Sequence, residues 1–154
     1  MKYVCTLLVV KDIEQSKKFY RDILDQDVIE DLGANVTLTG GFALQTSESW
    51  RGFIHKQDNE IIYGNNDAEL YFEEDDIDSF TEKLSYFNIE YVHPLKEHSW
   101  GQRVIRFYDL DKHIIEVGEN MAVVVKRFID SGMTIEQTAI RMNVGAQYVE
   151  ALLS

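Results

Sequence analysis

Two carboxylates, an amide and a thiol sit at matched places in two similar stretches of this sequence. Asp12–Ile13 aligns with Asp76–Ile77, an offset of 64 residues, and the same offset carries Cys5 onto Glu69. At the far end of each stretch FALQT resembles IIEVG, which sets Gln45 against Glu116. A polar side chain at both ends of two repeated units is the pattern of a pseudo-symmetric site, and an internal repeat governs how every other motif is read. Two carboxylates facing each other in a partly dry site repel and lose hydration, so one carboxyl holds its proton unless a cation intervenes. Three cations suit: a metal, Arg106, or a positively charged ligand. In one reading Arg106 pairs with Glu116 and the arrangement is structural. In the other, Glu69 or Glu116 stays free as a catalytic general base or as the anchor for an amine.

The elements that must position these groups follow from periodicity. Tyr3 to Val10 reads as a strand buried on both faces. KDIEQSKKFYRDIL places Ile13, Phe19, Tyr20, Ile23 and Leu24 at helical spacing, with Asp12 as N-cap. DVIEDL, NVTLT and GFALQT read as short strands, with turns at Gly33 and Gly40–Gly41. Residues 47 to 67 read as a polar, irregular connection. The order then repeats: AELYFEE is a strand, DDIDSFTEKLSYFN a helix, and IEYVHP, QRVIRFYD and HIIEVGE three more strands. Strand parity turns Ile105, Phe107, Ile115 and Val117 toward the helices. The opposite face then holds Cys5, Gln45, Glu69, Tyr71, Arg106 and Glu116.

Composition narrows the partners. A formal charge of −12 on 154 residues repels nucleic acid and anionic membrane and favours neutral or cationic partners. One cysteine rules out a disulfide within the chain, and the first apolar run is too short for a signal or membrane segment, so a cytoplasmic protein is expected. No G-x-G-x-x-G, P-loop or C-x-x-C is present.

Two β-α-β-β-β units in one chain resemble the vicinal oxygen chelate superfamily, which includes glyoxalase I, bleomycin-resistance and fosfomycin-resistance proteins and extradiol dioxygenases. The resemblance rests on LLVVKDIEQSKKFYRDIL and WGQRVIRFYDLDKHIIEV and spans about residues 3 to 120. It implies an α+β fold in which two βαβββ modules, about 1–62 and 66–120, form a curved mixed sheet with a cup-shaped cavity. In metal-dependent members of the superfamily the ligands come from the first and last strands of both halves. Those positions here are Cys5, Gln45, Glu69 and Glu116, for one divalent ion such as Zn, Ni, Co, Mn or Fe. The superfamily usually has histidine at first-strand positions, and this sequence has Cys5 and Glu69 there; thiolate is soft and carboxylates suit harder ions. The superfamily turn D-P-D-G is Asp109-Leu110-Asp111-Lys112 here; if the glycine position needs positive φ, Lys112 sits there at a cost of about 1 kcal/mol.

The remaining candidates lie around that cavity. Trp50 and Trp100 offer flat apolar surfaces of the kind that line small-molecule sites, though ordinary packing between loop and sheet is the first expectation for each. His98 is a candidate acid, base or substitute ligand, or else a surface residue; His93 and His113 read as structural or exposed. Residues 121–154 read as two or three short helices with the rhythm of a helix-turn-helix, Thr134 and Gln137 forming a capping box. Gly145 to Leu153 carries no Lys or Arg, which favours a packing appendage at a homodimer interface over DNA contact. The leading expectation is a homodimer that binds a small organic molecule, suited to a cationic ligand, at a metal-free or atypical-metal site. The alternatives are a metal-dependent lyase, isomerase or dioxygenase, and a ligand-responsive regulator using the C-terminal helices.

Overall fold

A computed structural model describes residues 1–154. The order is β1 (Thr6–Val10), α1 (Ile13–Leu24), β2 (Val28–Asp31), β3 (Asn35–Leu38), β4 (Phe42–Thr46), α2 (Ser47–Ile54) and a 3₁₀ turn (Asp58–Glu60). It continues with β5 (Glu69–Glu74), α3 (Ile77–Ser85), β6 (Tyr91–Glu97), β7 (Arg103–Tyr108) and β8 (Ile114–Glu119), then α4 (Met121–Asp130), α5 (Ile135–Met142) and α6 (Ala146–Leu153). The architecture is α+β: two βαβββ modules, each with a four-stranded sheet, followed by three helices. No helix is long and apolar enough to cross a membrane. Two compact units emerge, Met1–Ala68 with Tyr108–Ile114, and Glu69–Phe107 with Ile115–Ser154.

In the first unit the strand order is β1-β4-β3-β2. β1 runs parallel to β4 with Leu8 opposite Leu44, and β3 is antiparallel to β4. Helix α1 starts where Asp12 accepts the Gln15 amide at 3.0 Å, and it ends at Asp25, in the left-handed region. Its buried face, Phe19, Tyr20, Ile23 and Leu24, follows the helical spacing of the sequence. With Val10, Val36, Leu38 and Leu44 these side chains form the unit's core, each contributing about 1.5–3 kcal/mol by burial.

In the second unit the order is β5-β8-β7-β6. Helix α3, capped by Asp76, buries Ile77, Phe80 and Leu84, and the Phe80 ring lies 6.4 Å from that of Phe107. Helices α4, α5 and α6 pack together around Val124, Val125, Phe128, Ala139, Met142 and Val149. The Thr134–Gln137 capping box forms, and Asn143, at φ 56°, ends α5.

Three sequence expectations are corrected or sharpened. The first strand begins at Thr6 rather than Tyr3, and it is half-buried rather than enclosed, because β1 is an edge strand whose pairing starts at Thr6–Phe42. Residues 47–54 are helical rather than irregular; Trp50, Phe53 and Ile54 have helical spacing that the polar composition masked. Lys112 does adopt positive φ, at 70°.

Candidate functional site

In the second unit Glu69 opens β5 and Glu116 lies on β8, and a single side chain from β7 engages both. The Arg106 Nε donates to Glu69 Oε2 at 2.9 Å, and its Nη2 pairs with Glu116 Oε2. Glu116 is almost fully buried, at 8 % side-chain exposure, while Glu69 is open to solvent at 37 %. The third nitrogen of Arg106, Nη1, lies 3.3 Å from His93 Nε2. Guanidinium only donates, so His93 Nε2 accepts, and its Nδ1 donates to the Pro94 carbonyl at 2.9 Å. Arg106 is therefore the cation between the two carboxylates.

The other two positions expected to join a site belong to the first unit. Gln45 is buried on β4, and both ends of its amide are used: Oε1 accepts from Asn35 Nδ2 at 2.8 Å, and Nε2 donates to Ser49 Oγ. Ser49 in turn donates to the Thr46 carbonyl, which fixes the start of α2. Cys5 lies one residue before β1 and is half-buried. The donor set does not fit a divalent ion. The two carboxylates already neutralise an arginine, Gln45 is committed to its own hydrogen bonds, and no group of three or more His, Cys, Asp or Glu side chains converges anywhere. Glu116, the nearly buried carboxylate of the pair, would have to give up its bond to Arg106 to hold a metal.

Tyr71, Trp100 and His98 belong to the second unit and are held by Gln102. Its Nε2 donates to the Tyr71 hydroxyl at 2.9 Å and to the Glu119 carbonyl at 3.0 Å, and its Oε1 accepts from Trp100 Nε1 at 3.2 Å. The Tyr71 hydroxyl donates onward to Glu73. This network crosses Gly118, where a Cβ would stand 2.7 Å from Gln102 Nε2. The His98 ring stacks on Trp100 at 4.1 Å, and its buried Nε2 has no partner. Burial, reinforced by the charge of Arg106, lowers the His98 pKa and keeps that ring neutral.

The sequence reading missed Glu119. It is fully buried at the end of β8, bonded by Arg103 Nη2 at 3.0 Å and by Arg127 Nη2 at 2.9 Å. Burial raises its pKa, but the bonds from Arg103 and Arg127 together outweigh that and hold it below the ordinary value. A signal was present: Glu119 shares parity with Ile115 and Val117 and so falls on the face turned to the helices, where a carboxylate needs a partner.

The first unit also holds an open hollow of about 390 Å³, lined by Leu7, Leu8 and Val9 of β1, Trp50 and Ile54 of α2, the 60–65 segment, and His113. Trp50 thus forms part of a cavity wall. His113 is tethered from behind. Its Nδ1 lies 2.8 Å from Oδ2 of Asp109, whose side chain is 2 % exposed. The same carboxylate accepts the Tyr20 hydroxyl at 2.7 Å and the backbone amides of Asp111 and His113 at 2.9 and 2.8 Å.

The sequence profile of the glyoxalase-like domain matches residues 3–122. A protein of unknown function from Agrobacterium tumefaciens str. C58 is 41 % identical, with 78 % of this chain and 94 % of that one covered and a TM-score of 0.71. A glyoxalase/bleomycin resistance protein/dioxygenase from Nocardioides is 20 % identical over 77 % and 83 % of the two chains, TM-score 0.63. The fosfomycin resistance protein FosX from Listeria monocytogenes is 20 % identical over 78 % and 93 %, TM-score 0.55. The last two share the fold alone. No functionally curated protein matches.

Proposed function

This chain belongs to the glyoxalase-like domain family of the vicinal oxygen chelate superfamily, and from that premise we propose that it binds a small organic molecule without a metal at the superfamily's ligand positions. Members of the superfamily commonly use a divalent ion. The observation that carries the proposal is Arg106, which bonds both Glu69 and Glu116. A guanidinium there does electrostatically what a metal does elsewhere, yet it offers no open coordination position for a substrate oxygen. Binding and sequestration are roles that need no such position. The charge of −12 favours neutral or cationic ligands through its long-range field.

Metal analysis of protein purified without chelator tests this. The expected result is no stoichiometric Zn, Ni, Co, Mn or Fe, and an unchanged melting temperature on adding each ion. Stoichiometric metal that disappears on Glu116→Gln would overturn the reading.

A further inference from the structure

The Asp109–His113 pair has a geometry that the Arg106 cluster lacks: one polar atom left without a protein partner, beside unfilled apolar surface. Asp109 keeps its charge. Burial alone would raise its pKa, but the bond from His113, the charge that ring carries when protonated, and the bond from Tyr20 reverse that and hold it below the usual carboxylate range. An ionised carboxylate only accepts, so His113 Nδ1 must donate to it. The bond at one ring nitrogen sets the role of the other. In the neutral ring Nε2 carries a lone pair, and no protein group donates to it. The ring cannot easily turn away, because the carboxylate that holds it is fixed by three further bonds, from Tyr20 and from two backbone amides of the turn.

The hollow that His113 lines is open and largely apolar. Leu7, Leu8 and Val9 are half-buried along an edge strand, and Trp50 contributes an indole. The volume, about 390 Å³, falls in the range of small-molecule sites, which combine apolar walls with few orienting polar groups. The carboxylate that also lines the hollow is already committed. Glu60 accepts from Lys56 Nζ and from the Gln57 amide, both at 2.8 Å, and is solvent-exposed. Tyr63 is covered on one face by the Lys11 ammonium, 4.4 Å from its ring centre. Lys11 in turn pairs with Asp111 at 3.7 Å. An acceptor held by a buried carboxylate, opening on an indole and aliphatic side chains, matches a planar apolar molecule with one hydroxyl donor.

We propose that the hollow bounded by β1, α2 and the 60–65 segment is a binding site for a phenol- or enol-type molecule, whose hydroxyl donates to His113 Nε2 while its ring lies against Trp50 and Leu7–Val9. This deepens the small-molecule reading by naming a ligand class and an anchor. It is independent of Arg106.

The probe pair is 2-naphthol and 2-methoxynaphthalene, which share a ring system and differ in the hydroxyl donor. At pH 8, above the ordinary histidine range, calorimetric titration of the wild type is expected to show naphthol binding at least tenfold tighter than the ether. His113→Gln is expected to weaken naphthol to the level of the ether, and Trp50→Ala to weaken both. Nitrogen-15 spectra of the wild type report on the anchor itself. His93 and His113 should both show a protonated Nδ1 with an unprotonated Nε2, and only the Nε2 signal that is lost in His113→Gln should move on adding naphthol and stay put with the ether. Equal affinity for the two probes, or an unmoved Nε2 signal, overturns the anchor and leaves the small-molecule reading standing. Binding of neither probe overturns the site itself. Metal uptake, measured separately, bears only on the Arg106 reading.

Discussion

Replacing Arg106 with methionine removes the one cation between Glu69 and Glu116 and keeps a side chain of similar length. The cost divides unequally between the two carboxylates. At 2.9 Å the attraction to Glu69 is about 6 kcal/mol before hydration is counted, at an effective dielectric constant of about 20. Glu69 is 37 % exposed and recovers water when released, which leaves its pair a net worth of roughly 0.2–1 kcal/mol. Glu116 is 8 % exposed and has no such recourse; stranding a buried charge costs about 3–5 kcal/mol. Arg106 is itself partly hydrated, so the lower end applies, and Arg106→Met should lose about 3 kcal/mol at pH 7. For a chain of this length that lowers the melting temperature by roughly 6–12 °C. Circular dichroism with urea and thermal unfolding measures both quantities. The double variant Arg106→Met with Glu116→Gln removes the stranded charge and should recover about 2 kcal/mol, because partners in one network are not additive. If Arg106→Met lies within about 0.5 kcal/mol of the wild type, or if the double variant simply sums the single losses, Arg106 is not neutralising a buried carboxylate.

Two further outcomes follow from the same electrostatics and from backbone geometry. Glu119→Gln should cost about 2–3 kcal/mol at pH 7, since Glu119 is buried and bonded by two arginines. Its folded pKa lies below the ordinary 4.5, so its stabilisation is complete above that value and is lost as pH falls through the folded pKa. Calorimetry from pH 7 down to pH 3 should therefore show the wild type falling more steeply than the variant, and parallel curves would refute the assignment. Lys112→Gly should raise stability by about 0.5–1 kcal/mol, because φ 70° strains a residue with a Cβ more than it strains glycine, whose extra unfolded-state entropy returns part of the gain. A lower melting temperature would mean that the Lys112 ammonium over the Tyr108 ring, at 5.3 Å, outweighs the strain.

The two modules were legible in the sequence because local signals carry them. Asp12 and Asp76 cap their helices, α1 and α3 show their buried faces as helical periodicity, and Lys112 betrays its conformation by standing where a glycine is usual. Parity also placed Arg106 and Glu116 on one face, though not the outcome of the choice between pairing and freedom; that depends on the reach of a guanidinium between neighbouring strands. Helix α2 was hidden because eight residues with few apolar side chains give a weak period. The role of His113 was hidden for a different reason. It follows from Tyr20 and Asp109, 89 residues apart, meeting at one carboxylate, and no local pattern reports such a contact.

The buried carboxylates share a common logic that redirects the search for function. Asp109 is answered by His113, Tyr20 and two amides, Asp111 by Lys11, Glu116 by Arg106, and Glu119 by Arg103 and Arg127. A chain with a charge of −12 has abundant acid, yet each acid it buries is met by hydrogen-bond donors, charged for Asp111, Glu116 and Glu119. The unanswered acid stays in water, where it biases which ligands approach without binding any of them tightly. A carboxylate already neutralised by arginine makes a poor general base, because taking a proton would break its pair. His113 differs, since its partner holds one nitrogen and leaves the other open to the apolar hollow. The acidic residues of the repeat therefore support the frame, and the free hydrogen-bonding valence beside the apolar hollow lies on the histidine that follows the turn.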